Sequence, residues 1–259
     1  MIDLVDKNGF SLNQVKDFDP RIVTDYETVK ERIRPILLNY QIHKEELTQV
    51  PHYIYGEFAV AFAVYIPEVK EKYAVSRITD ELMKAMGVDQ ETLLKQALIN
   101  LGRYEKSYLN DVARFSMDES GKVAHATVSK TESSELMKNG LGRRLYVLTN
   151  ECFAFGAAGI LQEGLLQSIA ESCDSDLIVI MSSVHEVIIA KYVENADFDN
   201  LSEFITMINE ESVQKKEQLS NRAYIYDRKE QGLRLSYKDS ILELTAMRNI
   251  PIYNIECLA

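Results

Sequence analysis

Two short apolar runs separated by a polar island dominate the pattern of hydrophobic and polar positions in this 259-residue chain. The runs, residues 177–181 and 187–190, are rich in β-branched side chains, and the island between them carries serine, histidine and glutamate. Each run is too short for a helix, and the β-branched content disfavours one continuous helix. The pattern therefore predicts a strand, a polar connection and a second strand at the centre of a sheet.

Further strands are predicted where apolar residues alternate or cluster between turn signals. Residues 33–37 form one, and Pro35 favours a sheet edge or a strand start because proline cannot donate to a ladder. Residues 53–66 give a second strong strand signal, ended by Pro67.

Two hairpins are predicted in the second half. Residues 145–148 are predicted as a strand followed by a tight polar turn at 149–151, and 153–160 as its hairpin partner, since small residues there permit close backbone approach. Residues 223–226 and 233–235 are predicted to form the other hairpin.

Helical spacing appears in two adjacent segments of the first half. Apolar positions 82–86 share one stripe that ends at Gly87, a residue suited to the left-handed position after a helix. Asp89 is suited to cap the next helix, whose leucines and alanine at 93–101 recur every three or four residues before Gly102. A helical hairpin with a core-facing stripe is expected.

The second half contains two further helical stripes. Residues 161–173 place leucine, isoleucine, alanine and Cys173 on one face. Another helix is predicted to begin near Asn200, which forms a capping-box-like pair with Glu203. This helix is predicted to bury Leu201, Phe204, Ile205 and Ile208.

Together these elements predict an α+β fold with a mixed, largely antiparallel sheet or sheets and helices packed on one face, arranged as one body or as two lobes. We divide the chain into an N-terminal arm (1–30), a first α+β lobe (31–102), a polar connection (103–142) and a second α+β lobe with a C-terminal tail (143–259).

Composition narrows the class of protein. With 46% hydrophobic and 27% charged residues the chain is typical of globular proteins, and its net charge of -11 disfavours an open nucleic-acid surface. The sequence shows no secretory leader pattern and no run of roughly 18 apolar residues, so we expect a cytoplasmic protein without a membrane partner.

Cofactor and metal motifs are missing from the sequence. The three cysteines, Cys152, Cys173 and Cys257, include no C-x-x-C pair, and the four histidines lack zinc spacing. The glycine-rich segment 156–164 matches neither common nucleotide-binding pattern. We therefore expect no cofactor and no metal, and a buried thiol at Cys173.

The polar island holds the residue types of a nucleophile, a base and an orienting acid: Ser182, Ser183, His185 and Glu186. Their adjacency counts against a catalytic triad, whose members are normally assembled from separate parts of a fold. We favour a strand connection in which the hydroxyl groups satisfy local backbone groups. The island is still the predicted mouth of any pocket.

A second candidate set combines amide, guanidinium, phenol and carboxylate groups suited to binding a carboxylate, a phosphate or a peptide backbone. Its members are Asn150, Asn221, Arg222, Tyr226, Asp227 and Arg228. The alternative, which we favour, is that those between 221 and 228 fill turn, cross-strand and hairpin-surface roles.

Several runs resemble an uncharacterised bacterial family known only as a domain of unknown function. The resemblance rests on LTN within LYVLTNE, on SSVHEV, and on LSNR-x-Y-x-YDR, and it extends over most of residues 30–228. One departure is Met86, where the family is expected to carry tryptophan; this exchange of one apolar side chain for another affects packing only. The resemblance implies no activity.

We therefore expect a cytoplasmic, non-catalytic accessory protein that binds a protein or peptide partner. The alternative is a hydrolase or transferase that uses His185 with a nearby serine and an acidic residue. Nucleic-acid binding is the least favoured function, because the net charge of the chain is negative.

Overall fold

A computed structural model of the protein describes residues 2–5, 11–13, 21–67, 73–105, 107–111, 145–151, 153–194, 196–236 and 238–244. The strands in these ranges are β1 (Ile2–Val5), β2 (Ser11–Asn13), β3 (Ile33–Asn39), β4 (Tyr53–Tyr55), β5 (Phe58–Pro67), β6 (Tyr73–Arg77), β7 (Ser107–Asp111), β8 (Tyr146–Asn150), β9 (Leu177–Ile180), β10 (Val187–Lys191), β11 (Ala223–Asp227) and β12 (Gly232–Arg234). The α-helices are α1 (Arg21–Thr24), α2 (Tyr26–Val29), α3 (Asp80–Met86), α4 (Gln90–Arg103), α5 (Leu165–Cys173) and α6 (Phe198–Ser212).

The strands form two antiparallel sheets. The first has the order β2-β1-β6-β5-β3, with β4 also paired to β5, and the second has the order β12-β11-β9-β10-β8-β7. Helices and antiparallel sheets in separate stretches of the chain define an α+β fold, as predicted.

The two apolar runs of the central stretch are adjacent antiparallel strands inside the second sheet. In β9 and β10, Ile180 lies opposite Ile188, and the polar island connects them. In the first sheet, β3 is the last strand of its order and pairs with β5 among the described strands, placing Pro35 opposite Phe62. The edge position predicted for this proline is confirmed, because an edge strand tolerates the missing donor.

The segment 53–66 is a hairpin rather than one strand. Gly56 and Glu57 form the turn between β4 and β5, which pairs Tyr55 with Phe58. The φ of Gly56 is 60°, a left-handed value that glycine adopts without steric cost. Apolar alternation on both sides of so short a turn concealed the reversal.

The hairpin predicted across residues 145–160 is wrong. Thr149 and Asn150 continue β8 instead of turning, and β8 pairs with β7 and β10. The predicted return strand is a 3₁₀ helix, Gly156–Leu161, lying against β8. The small residues of this segment do permit close approach to β8, but as a 3₁₀ helix packed against the strand and not as a paired strand.

The predicted helical hairpin is confirmed. Gly87 ends α3 with a φ of 70°, and the Asp89 side chain accepts a hydrogen bond from Thr92 N at the start of α4. In the last helix the cap differs from the prediction, because Asp197 rather than Asn200 accepts the capping bond and α6 begins at Phe198.

One hydrophobic cluster runs through both sheets. It joins apolar side chains of β3 and β5 to those of β8 to β11 and to α4 and α5, and it includes the buried thiol of Cys173. A smaller cluster lies between α6 and the other face of the second sheet, around Ile178, Ile180 and Ile205. Cys152 and Cys257 lie outside the described residues.

The chain divisions drawn from the sequence stay predictions. The predicted arm contains β1 and β2, and β1 pairs with β6 of the first lobe. The predicted connection contains β7, while residues 112–144 lie outside the described ranges, as does the predicted extended tail after 244. No helix in the described part of the chain is long and apolar enough to cross a membrane.

Candidate functional site

The polar island between β9 and β10 packs against residues 217–220. Ser182 O accepts a hydrogen bond from Leu219 N, and Val184 N donates to Glu217 O. Ser182 and Ser183 are each only 7% exposed. The island is therefore a hydrogen-bonded connection inside the fold and not an open loop.

The ring of His185 is held by backbone and by an aromatic neighbour. Its Nδ1 accepts a hydrogen bond from Phe155 N at 3.3 Å, and the two rings lie 5.7 Å apart. Because Nδ1 accepts, we assign the neutral ring's proton to Nε2. That buried atom has no hydrogen-bond partner among the described residues, although Glu217 Oε1 lies 3.5 Å away.

The serines do not complete a nucleophile and base pair with this ring. Ser183 Oγ accepts from the backbone N of His185 at 3.0 Å, and no bond between either serine hydroxyl and the imidazole occurs in the described ranges. A general base needs a free lone pair, and the lone pair on Nδ1 already accepts from Phe155. Burial raises the pKa of the fourth candidate, Glu186, against the opposing effect of His185.

Asn150 and His185 are brought together across one short loop. The Asn150 side chain accepts from Ala154 N at 3.2 Å and donates to Ala154 O at 2.8 Å, while Phe155 N reaches His185. Phe153 and Phe155 have φ values of 52° and 55°. Bulky residues rarely adopt this left-handed conformation, so the surrounding hydrogen bonds hold a strained loop in place.

Gly156, at the start of the 3₁₀ helix, occupies a position where no side chain fits. A Cβ atom there would lie 2.7 Å from each of Asn150 N, His185 O and Thr149 Oγ1. Thr149 Oγ1 also donates to His185 O at 2.9 Å. The glycine lets the 3₁₀ helix contact both the end of β8 and the polar island.

Glu105 joins this network and was missed by sequence reasoning. Its Oε1 accepts from Asn150 Nδ2 at 2.8 Å, and its Oε2 lies 3.6 Å from Arg34 Nε. The side chain is only 6% exposed, and burial raises its pKa to about 7, although Asn150 and Arg34 act in the opposite direction. Glu151 adds to the rise. Nothing in the polar stretch around Glu105 marks it out in the sequence.

The candidates at the C-terminal end of β11 have partners within the fold. Tyr226 OH donates to Gln167 Oε1 at 3.1 Å. Asp227 accepts from Lys229 N and Glu230 N in the hairpin turn and from Arg234.

Arg228, the next candidate, pairs with Asp174 at 2.5 Å. These contacts tie the hairpin to itself and to the end of α5.

Asn221 and Arg222 lie at the other end of β11, roughly 15 Å away by the rise of an extended chain. They border an open groove of about 440 Å³ between α6 and the start of β11. The groove is lined by apolar, acidic and donor side chains that include Phe198, Asp199, Glu203, Asn221, Arg222 and Leu235.

Asn221 and Arg222, on the strand side of the groove, point to opposite faces of the sheet. Burial raises the pKa of Tyr224 while the positive charge of Arg222 acts to lower it, which places the guanidinium on the inter-sheet face of β11 and not on the Ala223 face that packs against α6. Asn209, 1% exposed, donates to Asn221 Oδ1 at 2.6 Å, which orients the Asn221 amide and leaves its Nδ2 without an acceptor in the same ranges. The groove therefore presents one oriented amide donor, that of Asn221, on its strand side.

Within the described ranges, no group of three or more histidine, cysteine or acidic side chains is arranged so that it could hold a metal ion.

The protein is thus an α+β protein with two antiparallel sheets, a buried polar network and an open groove on the second sheet. Residues 3–228 match the model of a family of unknown function, DUF5688, and the chain belongs to that family. The predicted membership of a family without assigned function is confirmed. No curated protein and no solved structure matches the chain.

Proposed function

We propose that this is a non-catalytic cytoplasmic protein that binds a protein or peptide segment in the groove between α6 and β11. The observation that carries the proposal is the oriented Asn221 amide on the strand wall of an open groove whose helix wall carries Asp199 and Glu203. An oriented amide donor suits a carbonyl oxygen, which every peptide offers.

The rest of the lining supports a peptide over a small apolar ligand. Phe198, Ala223 and Leu235 provide apolar surface. Ser202 and Thr206 donate their hydroxyl protons to helix carbonyls, so they offer an occupant only acceptor oxygens along α6. Apolar contact interspersed with hydrogen-bonding groups is typical of peptide and protein interfaces. The groove is also open, which suits a chain that enters and leaves it.

The surroundings of His185 support this proposal over a hydrolase or transferase. The ring's lone pair accepts from Phe155 N, and Ser183 bonds to backbone instead of to the ring. A catalytic role would need the strained 153–155 loop to release His185 before a substrate proton could be taken.

Selection from a random peptide library displayed on phage tests the proposal. We expect enriched peptides to bind the full chain with dissociation constants on the order of micromolar, the range of modest peptide interfaces. The Asn221→Ala variant should weaken them about fivefold, because it removes an oriented hydrogen-bond donor. Asn200→Ala is the control, since it removes one exposed amide on α6, outside the groove lining.

Two results would contradict the proposal. One is a library that yields no binder to the folded chain. The other is a set of binders that Asn221→Ala and Asn200→Ala affect equally, because binding would then not depend on the strand wall of the groove.

A further inference from the structure

The imidazole of His185 lies between two groups that require different protonation states. Phe155 N donates to its Nδ1 at 3.3 Å, and this bond exists only while Nδ1 carries a lone pair. Glu217 Oε1 lies 3.5 Å from the other ring nitrogen, and a carboxylate favours the charged form of a histidine. The neutral ring therefore holds the 153–155 loop, whereas the imidazolium is attracted to Glu217.

The loop that the imidazole holds has an unfavourable backbone. Phe153 and Phe155 have φ values of 52° and 55°, which lie in the left-handed region. The Asn150 side chain and the Tyr65 hydroxyl also bond to the loop, but they do so at Ala154. The amide of Phe155 itself is held by the imidazole. Loss of that bond therefore removes a restraint from a strained residue.

Three carboxyl groups lie around the ring and its loop, those of Glu217, Glu186 and Glu105. Burial raises the pKa of Glu186, the next residue in the chain, although His185 acts to lower it. Glu105 bonds to Asn150, and burial raises its pKa to about 7. The positive charges beside Glu217 in the chain are exposed and contact other groups; they belong to Lys215 and Lys216.

We infer that His185 is a proton-controlled latch for the 153–155 loop. While the ring is neutral, Nδ1 accepts from Phe155 N and the loop stays closed. A second proton binds at Nδ1, so that two N–H groups face each other; the charged ring then moves towards Glu217 and the loop opens. Histidine ordinarily changes charge between pH 5 and 8, so mild acidification drives this exchange. The latch is independent of the groove between α6 and β11.

His43, a second buried histidine, provides an internal reference with the opposite requirement. Its Nδ1 lies 3.1 Å from Glu46 Oε2 and its Nε2 lies 2.9 Å from Lys216 O, and both partners are acceptors. A second proton on this ring satisfies both contacts and breaks neither. The amide of Leu47, which donates to His43 O at 2.9 Å, should therefore not be released by acid.

Amide hydrogen exchange of the full chain, followed by NMR at pH 7.5 and pH 5.0, tests the latch. The rate for an unstructured peptide at each pH, divided by the observed rate, gives a protection factor for each amide. We expect the protection factor of Phe155 to fall about fivefold on acidification, the effect of losing one net hydrogen bond. The protection factor of Leu47 should not fall.

Variants of the full chain separate the latch from other effects of acid. His185→Asn offers a carbonyl oxygen near the position of Nδ1 and does not titrate, so the protection of Phe155 should be the same at both pH values. Glu217→Gln removes the charge that attracts the imidazolium, so the loss of protection should require a lower pH. Glu211→Gln, which removes an exposed acid on α6, is the matched control and should behave as the native chain.

The ring nitrogens of the native chain give a measurement that requires no variant to fold. Their ¹⁵N chemical shifts show whether His185 takes a second proton between pH 7.5 and pH 5.0. A doubly protonated ring beside a Phe155 amide of unchanged protection would overturn the latch, and so would a ring that is still neutral at pH 5.0. A loss of protection that persists in His185→Asn would also overturn it, because another group would then control the loop.

Discussion

At the scale of single residues, burial and pairing have opposite effects on the pKa of Glu105. Its carboxyl lies between the two sheets, bonded to Asn150 and 3.6 Å from Arg34, yet its pKa rises to about 7. Arg34 also donates to Glu31 O and Ile33 O, so its positive charge is shared among several acceptors. Desolvation of the carboxylate therefore exceeds its attraction to the guanidinium.

The raised pKa predicts a pH-dependent stability. Between the ordinary value of 4.5 and about 7, the unfolded chain loses the Glu105 proton while the folded chain retains it. The folded state then binds more protons, so this group's contribution to the free energy of unfolding falls as pH rises through that window, by up to about 3 kcal/mol. Below the window the contribution is intact.

Urea unfolding followed by circular dichroism at pH 5 and pH 8 measures this effect. Glu105→Gln keeps an acceptor for Asn150 and does not ionise, so its stability relative to the native chain should be higher at pH 8 than at pH 5, by about 1–3 kcal/mol. Glu211→Gln, an exposed glutamate, should show no such change. A Glu105→Gln difference that is the same at both pH values would refute the assignment.

At the scale of elements, the N-terminus of α6 shows which of two candidate residues caps the helix. The sequence favoured Asn200 with Glu203, whereas the Asp197 side chain accepts from Asn200 N at 3.0 Å. Asp197 has extended backbone torsions, with φ of -81° and ψ of 91°, while Asn200 already lies inside the helix. An N-cap residue must leave helical torsions, so only Asp197 can fill the role.

We expect Asp197→Ala to lower the free energy of unfolding by about 1 kcal/mol, because a helix N–H loses its acceptor. Asn200→Ala is the matched comparison: it removes an exposed side chain within the helix and should change stability by less than about 0.5 kcal/mol. Thermal and urea unfolding measure both. Equal losses in the two variants would contradict the observed cap.

At the scale of the whole molecule, polar contacts join the two sheets beside their shared core. Glu57, in the turn between β4 and β5, accepts hydrogen bonds from Ser220 Oγ at 2.7 Å and from the hydroxyl of Tyr224. Asn39 Nδ2 donates to Leu219 O at 2.7 Å, and Phe58 packs on the Tyr224 ring. The two sheets therefore share both apolar and hydrogen-bonded contacts.

Removal of the Tyr224 hydroxyl should destabilise both sheets together. Tyr224→Phe leaves the Glu57 carboxylate with one donor fewer, a loss of about 2 kcal/mol for a bond to a charged group. Tyr226→Phe, in the same strand, loses only the bond to the neutral Gln167 side chain and should cost about 1 kcal/mol. Native-state hydrogen exchange should show a parallel loss of protection in β5 and β9. Loss confined to β9 would mean that the sheets open independently.

Local patterns in the sequence were sufficient for most of the elements. The β9–β10 hairpin, the α3–α4 pair with Gly87 and Asp89, and the edge position of Pro35 follow from side-chain periodicity and backbone preferences that act over a few residues. The turn at Gly56 and the 3₁₀ helix at Gly156 escaped this reasoning. Glycine permits several conformations, and the choice among them depends on distant atoms.

The candidate site required the assembled fold. The sequence pointed to Asn150, His185, Asn221 and Arg222 as polar residue types, but not to their partners. Glu105 lies 45 residues before Asn150, and Phe155 lies 30 before His185. Such contacts depend on which strands become neighbours, and so does the groove, where α6 faces the start of β11. Short-range preferences set the elements, whereas burial and long-range pairing decided which charges were neutralised and which remained available to a partner.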